Sequence, residues 1–351
     1  MKPNSPALFN VTLEITKKCP LNCSICSSNG GVPYANELSR DMLERIIEDS
    51  HELGAKTVVF SGGEPFEHPD LIELCEHAKN LDLEVCIYTS GNASGWNNSI
   101  EPIDKKTLSH LKKISIDKLI FGLQGPDDKV HDLITEVHGS FKNAILSMKR
   151  AKAQFIETEI HFVPVKPNYM FLPKMIMLAK SLQVNVISVL RFVAQGRGKV
   201  NNNVLRLDPH DLVILKSMLQ EMVAFKKPTV RTGSPFNTFG FFGENHCTAG
   251  KSRATIRADG FVFPCEAMKE LPCYPDNNLH EKTLKEIWER SVIFEESRRF
   301  ERFIMESTCG NCEIFARCRG GCPAQRLISG GSIKNSTDPY CLAREVVAEN
   351  V

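Results

Sequence analysis

The chain of 351 residues is 42% hydrophobic and 24% charged, the composition of a globular protein long enough for one large α/β unit and a smaller one. Its 43 Lys and Arg nearly cancel 42 Asp and Glu, which excludes a global positive field for gathering nucleic acid or an anionic membrane surface. The opening MKPNSPALFNVTLEIT lacks the basic and long apolar regions of a signal peptide, and no run approaches the roughly 18 apolar residues of a membrane span, so a cytoplasmic protein is expected.

From residue 8 to about 195, short β-branched or aromatic runs alternate with amphipathic helical patterns, the signature of repeated βα units. FNVTLEIT leads into a cysteine loop, Ser39 caps a helix with Met42, Leu43, Ile46 and Ile47 at helical spacing, and Gly54 ends it. KTVVFSGGEP is strand two, PDLIELCEHAKNL a helix opening on Pro69, and EVCIYTSGN strand three. IDKKTLSHLKKI, KLIFGLQG, SFKNAILSMKRAKAQ, EIHFVPVKPN, LPKMIMLAKSL and NVISVLRFVAQGRG continue the alternation through strand six.

Parallel strands joined by right-handed crossovers close into a barrel or part of one, with the loops after the strands gathered at one mouth. The cysteine loop, SGGEP, TSGN, LQGP, KPN and QGRG all lie there. A helix (DPHDLVILKSMLQEMVAF) and a Gly- and Phe-rich stretch (PFNTFGFFGENH) then lead to a cysteine-rich final segment that is too poor in long apolar elements to build a core without metal staples. The expected division is residues 1–205 for the barrel, 206–246 for a linking helix and loop, and 247–351 for the cysteine-rich domain.

Thirteen cysteines in a chain of this size and expected compartment point to metal ligation rather than a disulfide framework. Cys19, Cys23 and Cys26 put three thiolates in one loop, one short of closing a four-ligand site, and an open metal position is where chemistry takes place. Cys309, Cys312, Cys318 and Cys322 follow near the C-terminus, with Cys341 beyond them and Cys247, Cys265 and Cys273 before. On spacing alone zinc sites of zinc-ribbon type are an alternative to iron–sulfur centres, because thiolate-rich tetrahedral sites suit either metal. Cys75 and Cys86 read as small buried apolar residues.

The C-x3-C-x2-C loop after a first strand, with SGGEP after the second, resembles the radical S-adenosylmethionine (SAM) superfamily. That resemblance implies a partial (β/α)6 TIM-type barrel. A 4Fe-4S cluster on Cys19, Cys23 and Cys26 would bind SAM at its open iron and cleave it reductively to a 5′-deoxyadenosyl radical. Gly62, Gly63 and Glu64 would hold the SAM amino group; Ser90, Gln124, Asn168 and Arg191 would serve as further SAM contacts, with Ile25 against adenine where the family usually has an aromatic residue.

The later cysteines resemble the SPASM extension of that superfamily, which implies two auxiliary 4Fe-4S clusters, three in all. Cys247, Cys265 and Cys322 would hold the first, with Cys273 as its candidate fourth ligand, and Cys309, Cys312, Cys318 and Cys341 the second. Glu266, beside Cys265, is the candidate base. The resemblance further implies oxidative modification of a peptide or protein, by crosslinking or side-chain oxidation, with an external electron donor of flavodoxin or ferredoxin type. Because the first strand begins by about residue 9, leader recognition is expected from the barrel, the SPASM region or a separate leader-peptide-binding protein. Dehydrogenation or epimerisation of a small metabolite, and a non-catalytic metal or electron-transfer role, are the alternatives.

Overall fold

The computed structural model describes residues 6–240, 246–271, 273 and 275–342. The β-branched runs form β1 (Asn10–Thr16), β2 (Thr57–Gly62), β3 (Glu84–Thr89), β4 (Lys118–Gly122), β5 (Glu157–Phe162) and β6 (Val186–Val189), all parallel. Three further strands extend the sheet: β7 (Thr229–Thr232), β8 (Arg253–Ile256) and β9 (Val262–Phe263). The order is β9-β8-β1-β2-β3-β4-β5-β6-β7, with only β9 antiparallel to its neighbour. This is an α/β fold consistent with a partial TIM-type barrel.

The sheet therefore runs beyond the six expected strands. β7 comes from the segment read as a linker and β8 from the cysteine-rich region, where it pairs with β1 through Val11 and Ala254. Both are four-residue strands, too short for a period-2 pattern to stand out. Part of the Gly- and Phe-rich stretch, 241–245, lies outside the described residues.

Helices α1 (Arg40–Glu52), α2 (Leu71–Asn80), α3 (Lys105–Lys113), α4 (Asp128–Thr135), α5 (Ser140–Ala153) and α6 (Leu172–Ser181) cross between the strands. Ser39 caps α1 by accepting from the Met42 N–H, and the helix buries Leu43, Ile46 and Ile47. Each such side chain contributes about 1.5–3 kcal/mol over its exposed state, so Leu43→Ala would cost about 2–5 kcal/mol. Helix α2 opens at Leu71, two residues after Pro69, and α4, capped by Asp127, is a helix beyond the expected alternation. The C-terminal part carries α7 (Pro209–Met222), α8 (Leu284–Arg290), α9 (Val292–Met305) and α10 (Pro323–Gly330).

Alternation along β1 sorts its side chains. Val11, Leu13 and Ile15 are fully buried in the main core, whereas Thr12 and Glu14 face the other way and meet Glu266 and Lys269 of the C-terminal region. The barrel's inner face is thus polar and is closed on one side by the cysteine-rich segment.

Candidate active site

Cys19, Cys23 and Cys26 follow the end of β1 in a loop fixed mainly by backbone partners. The Asn22 and Ser24 N–H groups donate to Thr135 and Ile134 carbonyls at the end of α4 (3.2 and 2.8 Å), and Arg197 Nε donates to the Cys23 carbonyl at 2.9 Å. Burial, then Glu64, pushes the Cys19 thiol up to about 12; burial, then Cys26 and Cys19, pushes Cys23 well above the ordinary range. Cys19 and Cys23, held protonated in this way, fit a shared cation, which would reverse the effect.

The glycines of SGGEP are required by close approach. A Cβ on Gly62, whose φ is +134°, would stand 2.1 Å from the Thr16 carbonyl oxygen, and one on Gly63 would stand 2.2 Å from that of Lys18. The loop after β2 therefore lies directly against the backbone leading into the cysteines. Glu64 is fully buried, its N–H donating to Lys18 O at 2.8 Å and its carboxylate accepting from Thr89 Oγ1, Ser90 N and Ser90 Oγ at 2.6–2.7 Å. Burial outweighs those bonds and pushes its carboxyl up to about 7.

The remaining residues read as SAM contacts have partners within the protein. Ser90 is engaged with Glu64; Gln124 Oε1 accepts from Val163 N; Asn168 accepts from Val165 N and donates to the Gln124 and Val163 carbonyls. Arg191 is fully enclosed, paired with Asp338 and stacked 3.8 Å from the Tyr340 ring centroid. Ile25 packs against a satellite apolar cluster of Ile134, Val165, Phe192 and Leu205.

Cys247, Cys265 and Cys322 gather on the opposite side. Burial, then Glu266, then Cys322 and Cys247 push the Cys265 thiol far up, and burial pushes Cys322 up to about 12. The Cys322 N–H donates to Asp338 at 2.7 Å, so the Arg191–Asp338 pair fastens this cysteine to the end of β6. Cys273 is exposed, with its Sγ 3.5 Å from Arg257 Nη2. Cys309, Cys312, Cys318 and Cys341 line one separate cavity, where Arg326 Nη2 sits 3.0 Å from Cys309 Sγ. Four convergent thiols are a complete donor set for an iron–sulfur centre. Cys75 is fully buried on α2, and Cys86 is partly buried in β3.

A single cavity of about 1130 Å³, its open mouth included, spans the two sides. Ile25, Ser27 and Ser28 of the first cysteine loop, Ser61, Tyr88 and His161 of the sheet, and Arg253, Glu266, Lys269 and Cys322 of the C-terminal region all line it. Glu266 accepts from Thr12 Oγ1 at 2.8 Å and lies 3.6 Å from Arg253; against the cost of burial, Arg253 holds its carboxyl below the usual range. Lys269 is buried in a pair with Glu14 and a hydrogen bond with Ser28, joining the loop after Cys265 to the first cysteine loop.

The sequence reading missed Lys269, Asp338, Tyr88, His161 and Arg253 as site residues. The partners of Lys269 and Arg191 are 255 and 147 positions away, and single-sequence patterns carry no signal at that range. Arg197 lay within a loop already singled out, QGRG, whose Gly196 takes φ +51° where a Cβ would meet the Cys26 carbonyl at 2.6 Å.

Family models match the radical SAM superfamily over residues 13–174 and the SPASM iron–sulfur cluster-binding domain over 247–313. PqqA peptide cyclase of Gluconobacter oxydans is 27% identical over 97% of this chain and 91% of its own. AdoMet-dependent heme synthase of Methanosarcina barkeri is 25% identical over 97% of each. Among solved structures, Streptococcus suis SuiB bound to precursor peptide SuiA superposes with a TM-score of 0.76 at 20% identity, covering 96% of this chain and 76% of SuiB. Native anSMEcpe with bound AdoMet and Cp18Cys peptide gives 0.73 at 18% identity, covering 98% and 96%. None of the described helices is long and apolar enough to cross a membrane.

Proposed function

Because this chain belongs to the radical SAM superfamily and carries a SPASM extension, we propose that it cleaves SAM reductively and oxidatively modifies a peptide or protein held in the cavity between its two cysteine-bearing walls. The carrying observation is that residues of the Cys19–Cys26 loop and Cys322 line one and the same space. Similarity to PqqA peptide cyclase along nearly the whole chain supports a peptide substrate.

Cys19, Cys23 and Cys26 would hold one 4Fe-4S cluster; Cys247, Cys265 and Cys322 a second, with the exposed Cys273 left outside it; and Cys309, Cys312, Cys318 and Cys341 a third. When bound, the first cluster and SAM supply a 5′-deoxyadenosyl radical, and the other clusters supply places for an electron to go. The protein's own share is positional. Gly62, Gly63 and Glu64 hold the SAM-side loop against the cysteines, the Lys269–Glu14 and Arg191–Asp338 pairs hold the far wall, and Ile25 and Tyr88 line the space between. Ser90, Gln124, Asn168 and Arg191 would act on SAM mainly by shaping these loops, and an external flavodoxin- or ferredoxin-type donor would supply the electron.

The test is anaerobic reconstitution with dithionite, SAM and a short peptide encoded beside the gene, read as 5′-deoxyadenosine and a peptide mass change. SAM cleavage without change in any such peptide would overturn the peptide reading. A porphyrin substrate is the second reading, since the heme synthases are nearly as similar over the same span. A change in porphyrin absorbance under the same conditions would select it.

A further inference from the structure

Within this reading, proton removal has two candidate acceptors in the cavity wall, Glu266 and His161. Oxidising a substrate by two electrons removes a hydrogen atom, an electron and a proton. The hydrogen atom would go to the SAM-derived radical, giving 5′-deoxyadenosine, and the electron would go to a cluster held by Cys247, Cys265 and Cys322. The proton needs an acceptor in the cavity wall.

We propose that His161, oriented by Glu159, accepts the substrate proton in the cavity. His161 lies on β5 and lines the cavity with Tyr88, Ser61, Arg253 and Glu266. Its Nε2 is 3.1 Å from Glu159 Oε1, and its ring lies 4.9 Å from that of Tyr88. Glu159 is 1% exposed and is held ionised by its surroundings: it accepts from Ser188 Oγ at 2.7 Å and pairs with Arg231 and Lys118. Burial works against that charge, but the bonds from His161 and Ser188 and the Arg231 charge bring its carboxyl to about 2.

An anionic carboxylate can only accept, so the proton of neutral His161 belongs on Nε2. Nδ1 then carries the lone pair. It has no hydrogen-bond partner among the described residues, and the residue lines the cavity. Burial favours the neutral ring, keeping it a base, and the imidazolium formed by proton uptake is stabilised by Glu159.

Glu266 is the competing acceptor. Its carboxylate accepts from Thr12 and pairs with Arg253, both of which stabilise the charged form and weaken it as a base. The arrangement assigns to Glu266 the fixing of Arg253 and to Glu159 the positioning of His161.

The test compares wild type, His161→Gln, His161→Gly, Glu159→Gln and Glu266→Gln as reconstituted full-length proteins, with a deuterated peptide encoded beside the gene. For His161→Gln, deuterium still passes into 5′-deoxyadenosine while the ratio of product to 5′-deoxyadenosine falls at least tenfold. In His161→Gly, added imidazole restores that ratio at least threefold, which a structural role would not produce. The charged and titratable groups around His161 are Glu159, Arg231, Glu266 and Tyr88. Glu159 favours the imidazolium, so Glu159→Gln moves the acid limb of product formation to lower pH by about one unit.

If His161→Gln fails to hold iron, the Glu159→Gln profile decides, an unmoved acid limb overturning the proposal. An unchanged product ratio in His161→Gln, or a tenfold loss in Glu266→Gln alone, likewise overturns it. Wild-type protein that transfers no deuterium from the peptide overturns the functional reading itself, and the role of His161 with it.

Discussion

The two walls of the cavity are held by different physics. The first cysteine loop is fixed by backbone hydrogen bonds to α4 and by glycines that let SGGEP and Gly196 touch its backbone. The cysteine-rich wall is fixed by buried charge: Lys269 with Glu14 and Arg191 with Asp338. One wall should fail on steric insertion, the other on removal of a charge. Most of the bonds that fix this loop end on its backbone, those from Arg197 included. A wall that lies far away in sequence is located by a few specific pairs instead.

The largest expected effect comes from Cys19→Ala, Cys23→Ala or Cys26→Ala. Each should abolish 5′-deoxyadenosine formation while leaving far-UV circular dichroism unchanged, because the main core does not include these side chains. Next is Asp338→Asn. Arg191 and Asp338 are 1% and 2% exposed, and asparagine keeps an acceptor for the Cys322 N–H while stranding the cation. A loss of about 3–5 kcal/mol in denaturant unfolding is expected. Stability within about 1 kcal/mol of wild type would break the claim that charge fastens this wall.

Gly63→Ala should cost about 1–3 kcal/mol, because the backbone of Lys17 and Lys18 must move away from the new methyl, and SAM affinity should fall with it. Unaltered thermal unfolding and SAM binding would break the steric half of the comparison. The smallest effect is expected for Cys273→Ser. The thiol is exposed beside Arg257, so iron content should stay at the wild-type value. A loss of iron would make Cys273 the fourth ligand of the centre at Cys265.

The same contrast explains what could be read from the residues alone. The barrel strands, the Ser39 cap, and the loops carrying cysteines and SGGEP are local features, and hydrophobic period, capping and glycine placement announce them. Helix α4 was overlooked because Gly125–Pro126 reads as a turn and Asp127 as part of it, although Asp127 caps by accepting from Val130 N. The pairing of β8 with β1 and the Arg191–Asp338 clamp are long-range, with no local sequence signal. His161 alternates with Ile160 in an ordinary strand pattern; only the assembled sheet reveals that its face is a cavity wall.

The central claim is that two iron–sulfur-binding walls bound one cavity, one of them able to lose its metal without the other. Iron and zinc analysis with electron paramagnetic resonance of the dithionite-reduced Cys19/Cys23/Cys26→Ala triple variant tests this most directly. The account predicts about twelve irons per chain in wild type and about eight in the variant, with the auxiliary reduced-cluster signals retained and no 5′-deoxyadenosine formed. Stoichiometric zinc in place of iron, or loss of all iron in the variant, would contradict it.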